Sequence, residues 1–260
     1  MEFELSTFGT GLLASVIAGF GATAAGALPV FLLNGMQERL NNLLLSFAAG
    51  IMLAATVFSL LLPGIEAARE TLADTRFAVL GVVAALFAGG LTMTLVHRSL
   101  PHEHFEKGLE GVDPGRLSRI WLFVVAIAIH NFPEGLAVGV GASGGDARDA
   151  LAVTLGIGIQ NLPEGLSVAV ALLGLGYTRL FAFLVAAGTG LLEVLGGGFG
   201  AAAIAIGAGL LPWALGFAGG AMLFVVSDEI IPETHRPGLA GGATAALFVG
   251  FALMMVLDLS

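Results

Sequence analysis

The chain has 260 residues, of which 57% are apolar and 11% are charged, whereas an average soluble domain has roughly 25% charged residues. This deficit of charge indicates a protein embedded in lipid, and the formal net charge of -9 argues against nucleic-acid binding. Cysteine is absent, so disulfides and thiolate metal ligands are excluded.

Eight apolar stretches are long enough to cross a bilayer core, which requires about 20 residues in helical form. They predict an all-α membrane protein with eight transmembrane helices in a single polytopic domain over residues 1–260. The first stretch exceeds the length of a signal-peptide core and follows no basic residue, so we expect it to be retained. In chain order the stretches span approximately residues 7–33, 43–62, 77–96, 120–140, 151–173, 180–206, 210–231 and 240–257.

The orientation of the helices follows from the basic residues between them. Alternate connections total seven Lys and Arg residues against three. Because basic residues are retained on the cytoplasmic side, this count predicts that both termini face outward. Residues 97–119 are then a cytoplasmic loop between the third and fourth helices.

Two internal similarities suggest a repeat. Residues 130–140 agree with residues 160–170 at seven of eleven positions, and residues 47–53 resemble residues 217–223. The matched helices are an odd number apart, so their copies run in opposite directions. We therefore predict a three-two-three inverted repeat, an arrangement that places a binding site near the membrane midplane in secondary transporters.

The two copies of the stronger repeat carry the polar residues of the fourth and fifth helices. Residues three or four positions apart share one face of a helix, so each motif directs its amide and its carboxylate into the same space. This arrangement predicts a pocket for two adjacent cations. The residues are His130, Asn131 and Glu134 in the first motif, and Gln160, Asn161 and Glu164 in the second.

Proline and acidic residues strengthen this interpretation. Pro133 and Pro163 each remove a backbone donor and are expected to break their helices. A carboxylate at the bilayer centre costs about 2.5–3.5 kcal/mol, and the two helices contain no Lys or Arg between residues 120 and 140 or between 151 and 173. A divalent cation is the natural compensation, although protonated, hydrogen-bonded carboxyl groups are the alternative.

Further candidate ligands lie outside the motifs. Glu193 is a third acid within an apolar helix, and it is either a candidate bridging ligand or a protonated acid bonded to a neighbouring helix. Met52 offers a thioether suited to a borderline ion such as Zn²⁺, or it fills space in the helix packing. His97, His102 and His104 are predicted to lie in the cytoplasmic loop, either as contacts for departing ions or as solvated polar residues. The end of the seventh helix forms either a vestibule or an interfacial segment, through Asp228, Glu229, Glu233 and His235.

The paired motifs at residues 130–135 and 160–165 resemble those of the ZIP (Zrt/Irt-like) family of metal transporters, in its prokaryotic branch. The resemblance spans the eight-helix plan, and it implies two adjacent metal sites bridged by Glu134 and Glu164. The family often has His in place of Gln160 and can have Asp in place of Asn161, so the neutral amides here weaken the second site. By resemblance, the first site uses Met52, His130, Glu134, Gln160 and Glu164, and the second uses Asn131, Glu134, Asn161, Glu164 and Glu193.

The resemblance also implies uptake of Zn²⁺ into the cytoplasm, with Cd²⁺, Fe²⁺, Mn²⁺ or Co²⁺ as further cargo, by a homodimer in the cell (inner) membrane. No resident cofactor is expected. The sequence has no phosphate-binding loop for ATP, and alternating access of helices four and five against a scaffold is the predicted mechanism. Two rivals are a proton-coupled cation antiporter that uses the same glutamates and an intramembrane zinc hydrolase. Against the hydrolase, the sequence contains no His-Glu-x-x-His motif.

Overall fold

The computed structural model describes residues 6–72, 74–99, 102–104, 108–110, 119–144, 147–235 and 240–260. Among these residues, eight helices are long and apolar enough to cross a membrane. The prediction of an all-α membrane protein with eight spans is therefore confirmed. The helices are α1 (Thr7–Phe31), α2 (Glu38–Thr71), α3 (Thr75–Ser99), α4 (Arg119–Gly144), α5 (Ala147–Gly174), α6 (Arg179–Ile206), α7 (Leu211–Thr234) and α8 (Ala240–Leu259).

The connection between α3 and α4 differs from the predicted loop. Helix α3 continues to Ser99, so His97 lies on the helix and the prediction that it belongs to the loop is wrong. The hydropathy of α3 falls after Val96, but the helix continues to Ser99, and His97 is buried against Glu229. Beyond α3, strand β1 (His102–His104) pairs antiparallel with β2 (Gly108–Glu110).

The two motif prolines do not break their helices. Pro133 lies inside α4 and Pro163 inside α5, and both helices are continuous. A proline removes one backbone hydrogen bond, and the helix can continue across a local bend. Irregularity occurs elsewhere instead, as π-helical turns at Val16–Gly21 in α1, Thr56–Leu61 in α2 and Val225–Ile230 in α7.

Helix α4 is the most enclosed element. Of the residues in its most apolar window, 78% are buried, against 17% for α3 and for α8. The long apolar faces of α3 and α8, which include Phe87 and Phe248, are exposed, as expected for helices that meet lipid. The central position of α4 brings the first motif to the middle of the bundle.

Glycines bring the motif helices into direct contact with their neighbours. A methyl group at Gly135 of α4 would collide with the carbonyl oxygen of Glu193 on α6, and one at Gly165 of α5 would collide with that of Thr23 on α1. The two glycines follow Glu134 and Glu164 directly. Each motif glutamate is therefore adjacent in sequence to a point of close approach between two helix backbones.

The outer helices pack in the same paired manner. A side chain at Gly50 of α2 would meet the carbonyl oxygen of Leu247 on α8, and one at Gly220 of α7 would meet that of Leu86 on α3. Gly50 and Gly220 belong to the segments around residues 47–53 and 217–223 that resemble one another. The contacts of α2 with α8 thus match those of α7 with α3.

A polar cavity of about 260 Å³ lies where the starts of α2 and α4 meet the ends of α5 and α7. Its lining includes Glu38, Asn41, Ser167 and Glu233. The hydroxyl oxygen of Ser167 lies 2.5 Å from the Asn41 side-chain oxygen and 2.8 Å from the Pro163 carbonyl oxygen, so its single hydrogen is shared between these two acceptors. We call this cavity the inner vestibule, because it lies at the end of the bundle that the charge pattern predicts to face the cytoplasm.

Candidate metal transport site

Polar residues of both motifs meet inside the bundle, together with the acid on α6. We call this set the central cluster. Each of its side chains is between 0 and 3% exposed. The cluster consists of Asn131 and Glu134 on α4, Gln160, Asn161 and Glu164 on α5, and Glu193 on α6.

Three carboxyl groups of the central cluster lie close enough to interact electrostatically. All three side chains are buried, and Glu134 lies near both Glu164 and Glu193, while Glu193 also lies near Glu164. Among the described residues, no Lys or Arg forms an ion pair with any of them. Like charges repel strongly in a medium of low dielectric constant, so this arrangement requires protons or a cation.

Six oxygen atoms of the central cluster are buried without a hydrogen-bond partner among the described residues. The side chain of Gln160 lies beside the Glu134 carboxyl group, but no hydrogen bond of proper geometry joins them. Buried polar atoms are nearly always paired, and exceptions point to a missing ligand or to function. The atoms are Asn131 Oδ1, Glu134 Oε1 and Oε2, Gln160 Oε1, Asn161 Oδ1 and Glu164 Oε1.

Glu193 differs from the other two acids, because both of its oxygens accept hydrogen bonds. The Asn161 side-chain nitrogen donates to Glu193 Oε2 at 2.6 Å, and the Thr23 hydroxyl donates to Glu193 Oε1 at 3.2 Å. Asn161 also donates to the Ala18 carbonyl oxygen at 2.7 Å. The third acid is thus held by α1 and α5 without a cation.

A second polar group, which we call the inner cluster, consists of His97, His130 and Glu229. His130 Nε2 lies 2.8 Å from Glu229 Oε2, and His97 Nδ1 contacts Glu229 Oε1. The two imidazole rings are stacked, with centroids 5.9 Å apart and planes 4° from parallel. One ligand atom from each residue lies within 4.8 Å of the others, and all three side chains are buried, so the group has the composition and size of a metal site.

The inner cluster was not predicted from the sequence. His97 was assigned to a loop, and Glu229 was assigned to a vestibule or an interface. Glu229 lies in the π-helical turn of α7, and such turns change the direction of side chains and are frequent at functional sites. The sequence does show a histidine, His97, near the end of one apolar stretch and an acid, Glu229, near the end of another. Nothing in the sequence indicates that these two residues contact each other.

Known proteins with similar sequences agree with this chemistry. The family model for ZIP zinc transporters matches residues 110–258. The zinc transporter GufA of Myxococcus xanthus is 44% identical over 252 residues, which cover 97% of this chain and 99% of the relative. The zinc transporter ZIPB of Bordetella bronchiseptica is 46% identical over 241 residues, which cover 93% of this chain and 78% of the relative. The zinc transporter ZIP11 of Homo sapiens is 33% identical over 92% of this chain and 94% of the relative.

This chain belongs to the ZIP family of zinc transporters. The relatives are named as transporters, so the chain belongs to a transporter family and not to an enzyme family. Its eight apolar helices make this ZIP protein a multi-pass membrane protein. The rival interpretation as a zinc hydrolase loses its basis.

Met52 of this ZIP protein is fully buried on α2. It belongs to the same core cluster as Ile129 and Ile157, which lie just before the ligand residues of the two motifs. Its role as a ligand stays a prediction. The loop histidines His102 and His104 lie on strand β1, but their side chains fall outside the described part of the structure, so their predicted metal contacts also stay open.

The two clusters of this ZIP protein offer the ligand types that suit zinc. Zn²⁺ binds imidazole nitrogen and carboxylate oxygen, and His130 of the inner cluster is four residues before Glu134 of the central cluster on α4. Its Nδ1 atom is buried without a hydrogen-bond partner, while its Nε2 atom faces Glu229.

Proposed function

We propose that this ZIP protein carries Zn²⁺ across the membrane into the cytoplasm, with the ion bound in the central cluster. The observation that carries the proposal is the set of buried, unpartnered oxygens on α4 and α5. Glu134 and Glu164 supply the charge, with Gln160, His130 and Met52 as further ligands. A dication between two carboxylates gives a neutral site, which is the condition for stability in a low-dielectric interior.

The energetics support an ion at this position. Two unpaired carboxylates at the bilayer centre would cost roughly 5–7 kcal/mol on insertion scales. Because the described residues provide no basic partner, a divalent ion or two protons must supply the compensation. The unpartnered amide oxygens of Asn131 and Gln160 add neutral oxygen atoms that can coordinate a cation.

The inner cluster supports release toward the inner vestibule. It lies beside the central cluster, since His130 is one helical turn from Glu134. Ser167, which lines the vestibule, is one turn from Glu164 on the other motif helix. We therefore propose that an ion leaving Glu134 and Glu164 passes His130 and its partners before it reaches the vestibule.

We infer alternating access as the mechanism. The glycine contacts of α4 with α6 match those of α5 with α1, and the contacts of α2 with α8 match those of α7 with α3. These paired contacts support the inverted repeat, and they join the helices into two sets. One set holds the motif helices, and movement of that set against the other would carry the ion between the two sides.

Other properties are proposed on the family resemblance. They are transport of Cd²⁺, Fe²⁺, Mn²⁺ or Co²⁺ besides Zn²⁺, outward-facing termini, a homodimer and placement in the cell (inner) membrane. The adjacent site of the resemblance would use Asn131, Asn161 and Glu193 together with the bridging glutamates. These residues are gathered in the central cluster, although Asn161 already donates to Glu193.

Uptake of radioactive Zn²⁺ and competing metals into proteoliposomes tests the proposal. We expect His130→Ala and Glu134→Ala to lower Zn²⁺ uptake by about 100-fold or more, because each removes a ligand of the ion. Glu70→Ala is the matched control, since Glu70 is exposed on α2. Equal uptake by all three variants would contradict the assignment, and dissipation of a pH gradient without metal would favour the antiporter.

A further inference from the structure

Asn161 stands where the family resemblance places a ligand of a second metal ion, but its side chain presents the amide nitrogen to Glu193, and its unpartnered oxygen Oδ1 is on the other branch of the amide. An amide nitrogen has two hydrogens, and Asn161 uses both: one toward the Ala18 carbonyl oxygen at 2.7 Å and one toward Glu193 Oε2 at 2.6 Å. The side of Asn161 that faces Glu193 is therefore positively polarised.

Glu193 is satisfied by this arrangement. Its second oxygen accepts a hydrogen bond from the Thr23 hydroxyl at 3.2 Å, so both oxygens have donors. Glu134, on the neighbouring helix, has none for either oxygen. The central cluster thus divides into one part whose oxygens lack partners and one part whose carboxyl group already has them.

Reversal of the Asn161 amide is unfavourable. It would direct Oδ1 toward the Ala18 carbonyl and the Glu193 carboxyl group, so that acceptors would face one another and two hydrogen bonds would be lost. Buried acceptors without donors are costly. A second ion at Glu193 must therefore displace a donor that is anchored at two points.

The net charge of the central cluster also favours one divalent ion over two. Glu134, Glu164 and Glu193 are its three carboxyl groups. One dication between Glu134 and Glu164 forms a neutral unit, whereas two dications among three carboxylates leave an excess positive charge in a buried site. An acid at position 161 would remove that excess, but the amide does not.

We propose that this protein binds a single divalent ion in the central cluster, and that the amide of Asn161 replaces a second cation beside Glu193. This inference rests on the proposed function, since it specifies how many ions the transport site holds. Asn161→Asp converts the anchored donor into a fourth carboxylate and creates the second site.

The test compares the wild type with Asn161→Asp, and Asn42→Asp is the matched control. Asn42 is also a buried asparagine, and its amide donates to the Thr234 carbonyl oxygen at 2.8 Å, away from the cluster. Crystals of each purified full chain in Zn²⁺ give anomalous difference maps at the zinc edge. Mass spectrometry of zinc bound in solution gives the number of ions per chain for each protein. The difference between a variant and the wild type excludes ions that both bind at other sites.

We expect one anomalous peak at Glu134 and Glu164 in the wild type and in Asn42→Asp. We expect Asn161→Asp to show a further peak beside Glu193 and to bind one more zinc per chain. Two peaks in the wild type, or one in a folded Asn161→Asp chain, would overturn the inference and leave the proposed function intact. No peak in the wild-type cluster would refute the proposed function itself. If Asn161→Asp does not yield a monodisperse protein, the wild-type map decides alone.

Discussion

The central and inner clusters are both buried in the bundle, but they satisfy their polar atoms in different ways. In the central cluster, the oxygens of Glu134 and Glu164 Oε1 have no hydrogen-bond partner among the described residues. In the inner cluster, Glu229 is paired with both His97 and His130. The comparison indicates that the central cluster requires protons or a cation, whereas an ion at the inner cluster would compete with the existing pairs.

The largest expected effect separates the two clusters by affinity. Glu164→Gln should weaken Zn²⁺ binding by about 100-fold, because it removes the negative charge of one of the two carboxylates that are proposed to bind the ion. Glu229→Gln should change that affinity by less than about 3-fold, because a glutamine can still hydrogen-bond both imidazoles. Isothermal titration calorimetry of the purified variants measures both values. Equal losses would show that the two clusters form one site.

The next effect concerns transport and not affinity. His97→Phe keeps a ring against His130 but removes the nitrogen that contacts Glu229, so we expect Zn²⁺ uptake to fall by about 10-fold with the central affinity retained. His235→Phe is the matched control, because His235 lies at the end of α7 and bonds the Thr244 hydroxyl. Proteoliposome uptake gives the comparison. An unchanged rate in His97→Phe would remove the inner cluster from the path.

Acid should weaken both clusters in the same direction. Metal ligands bind in their deprotonated form, so protons compete with Zn²⁺ for the imidazole of His130 and for the carboxylates. Lowering the pH from about 7.5 to 5.5 should therefore reduce Zn²⁺ affinity. Titrations at matched ionic strength measure this change. An affinity that rises in acid would contradict His130 as a ligand.

The smallest effect comes from strengthening the central cluster. Gln160→His replaces an amide by an imidazole, which zinc prefers, and we expect Zn²⁺ affinity to rise by about 3-fold. Gln37→His is the control, because Gln37 is exposed just before α2. Calorimetry again provides the measurement. A loss of affinity in Gln160→His would show that Gln160 does not face the ion.

The fold was largely predictable, because hydropathy is a local property of the chain. All eight spans were found, yet their ends differ by several residues in α2, which reaches from Glu38 to Thr71. Helix ends extend beyond the apolar core, where polar residues meet water or one another, and hydropathy cannot locate them. The misplacement of His97 has this cause.

The candidate site was predictable in part. The motif spacing placed Glu134 and Glu164 in one buried region, and the structure gathers them there. The pairing of Glu229 with His97 joins residues far apart in the chain through a π-helical turn, and no periodicity signals it. The orientation of the Asn161 amide likewise depends on the Ala18 carbonyl of another helix.

The sequence by itself determined that the chain is embedded in lipid, how many helices it has and which polar residue types meet in the central cluster. Side-chain polarity and helical spacing are properties of short segments, so they can be read from the sequence. Tertiary structure alone decided which carboxyl groups have partners, because a hydrogen bond depends on which atoms of separate helices meet. Glu193 and Glu134 are both acids within apolar helices of the sequence. In the folded chain, the first accepts two hydrogen bonds, while the second has none.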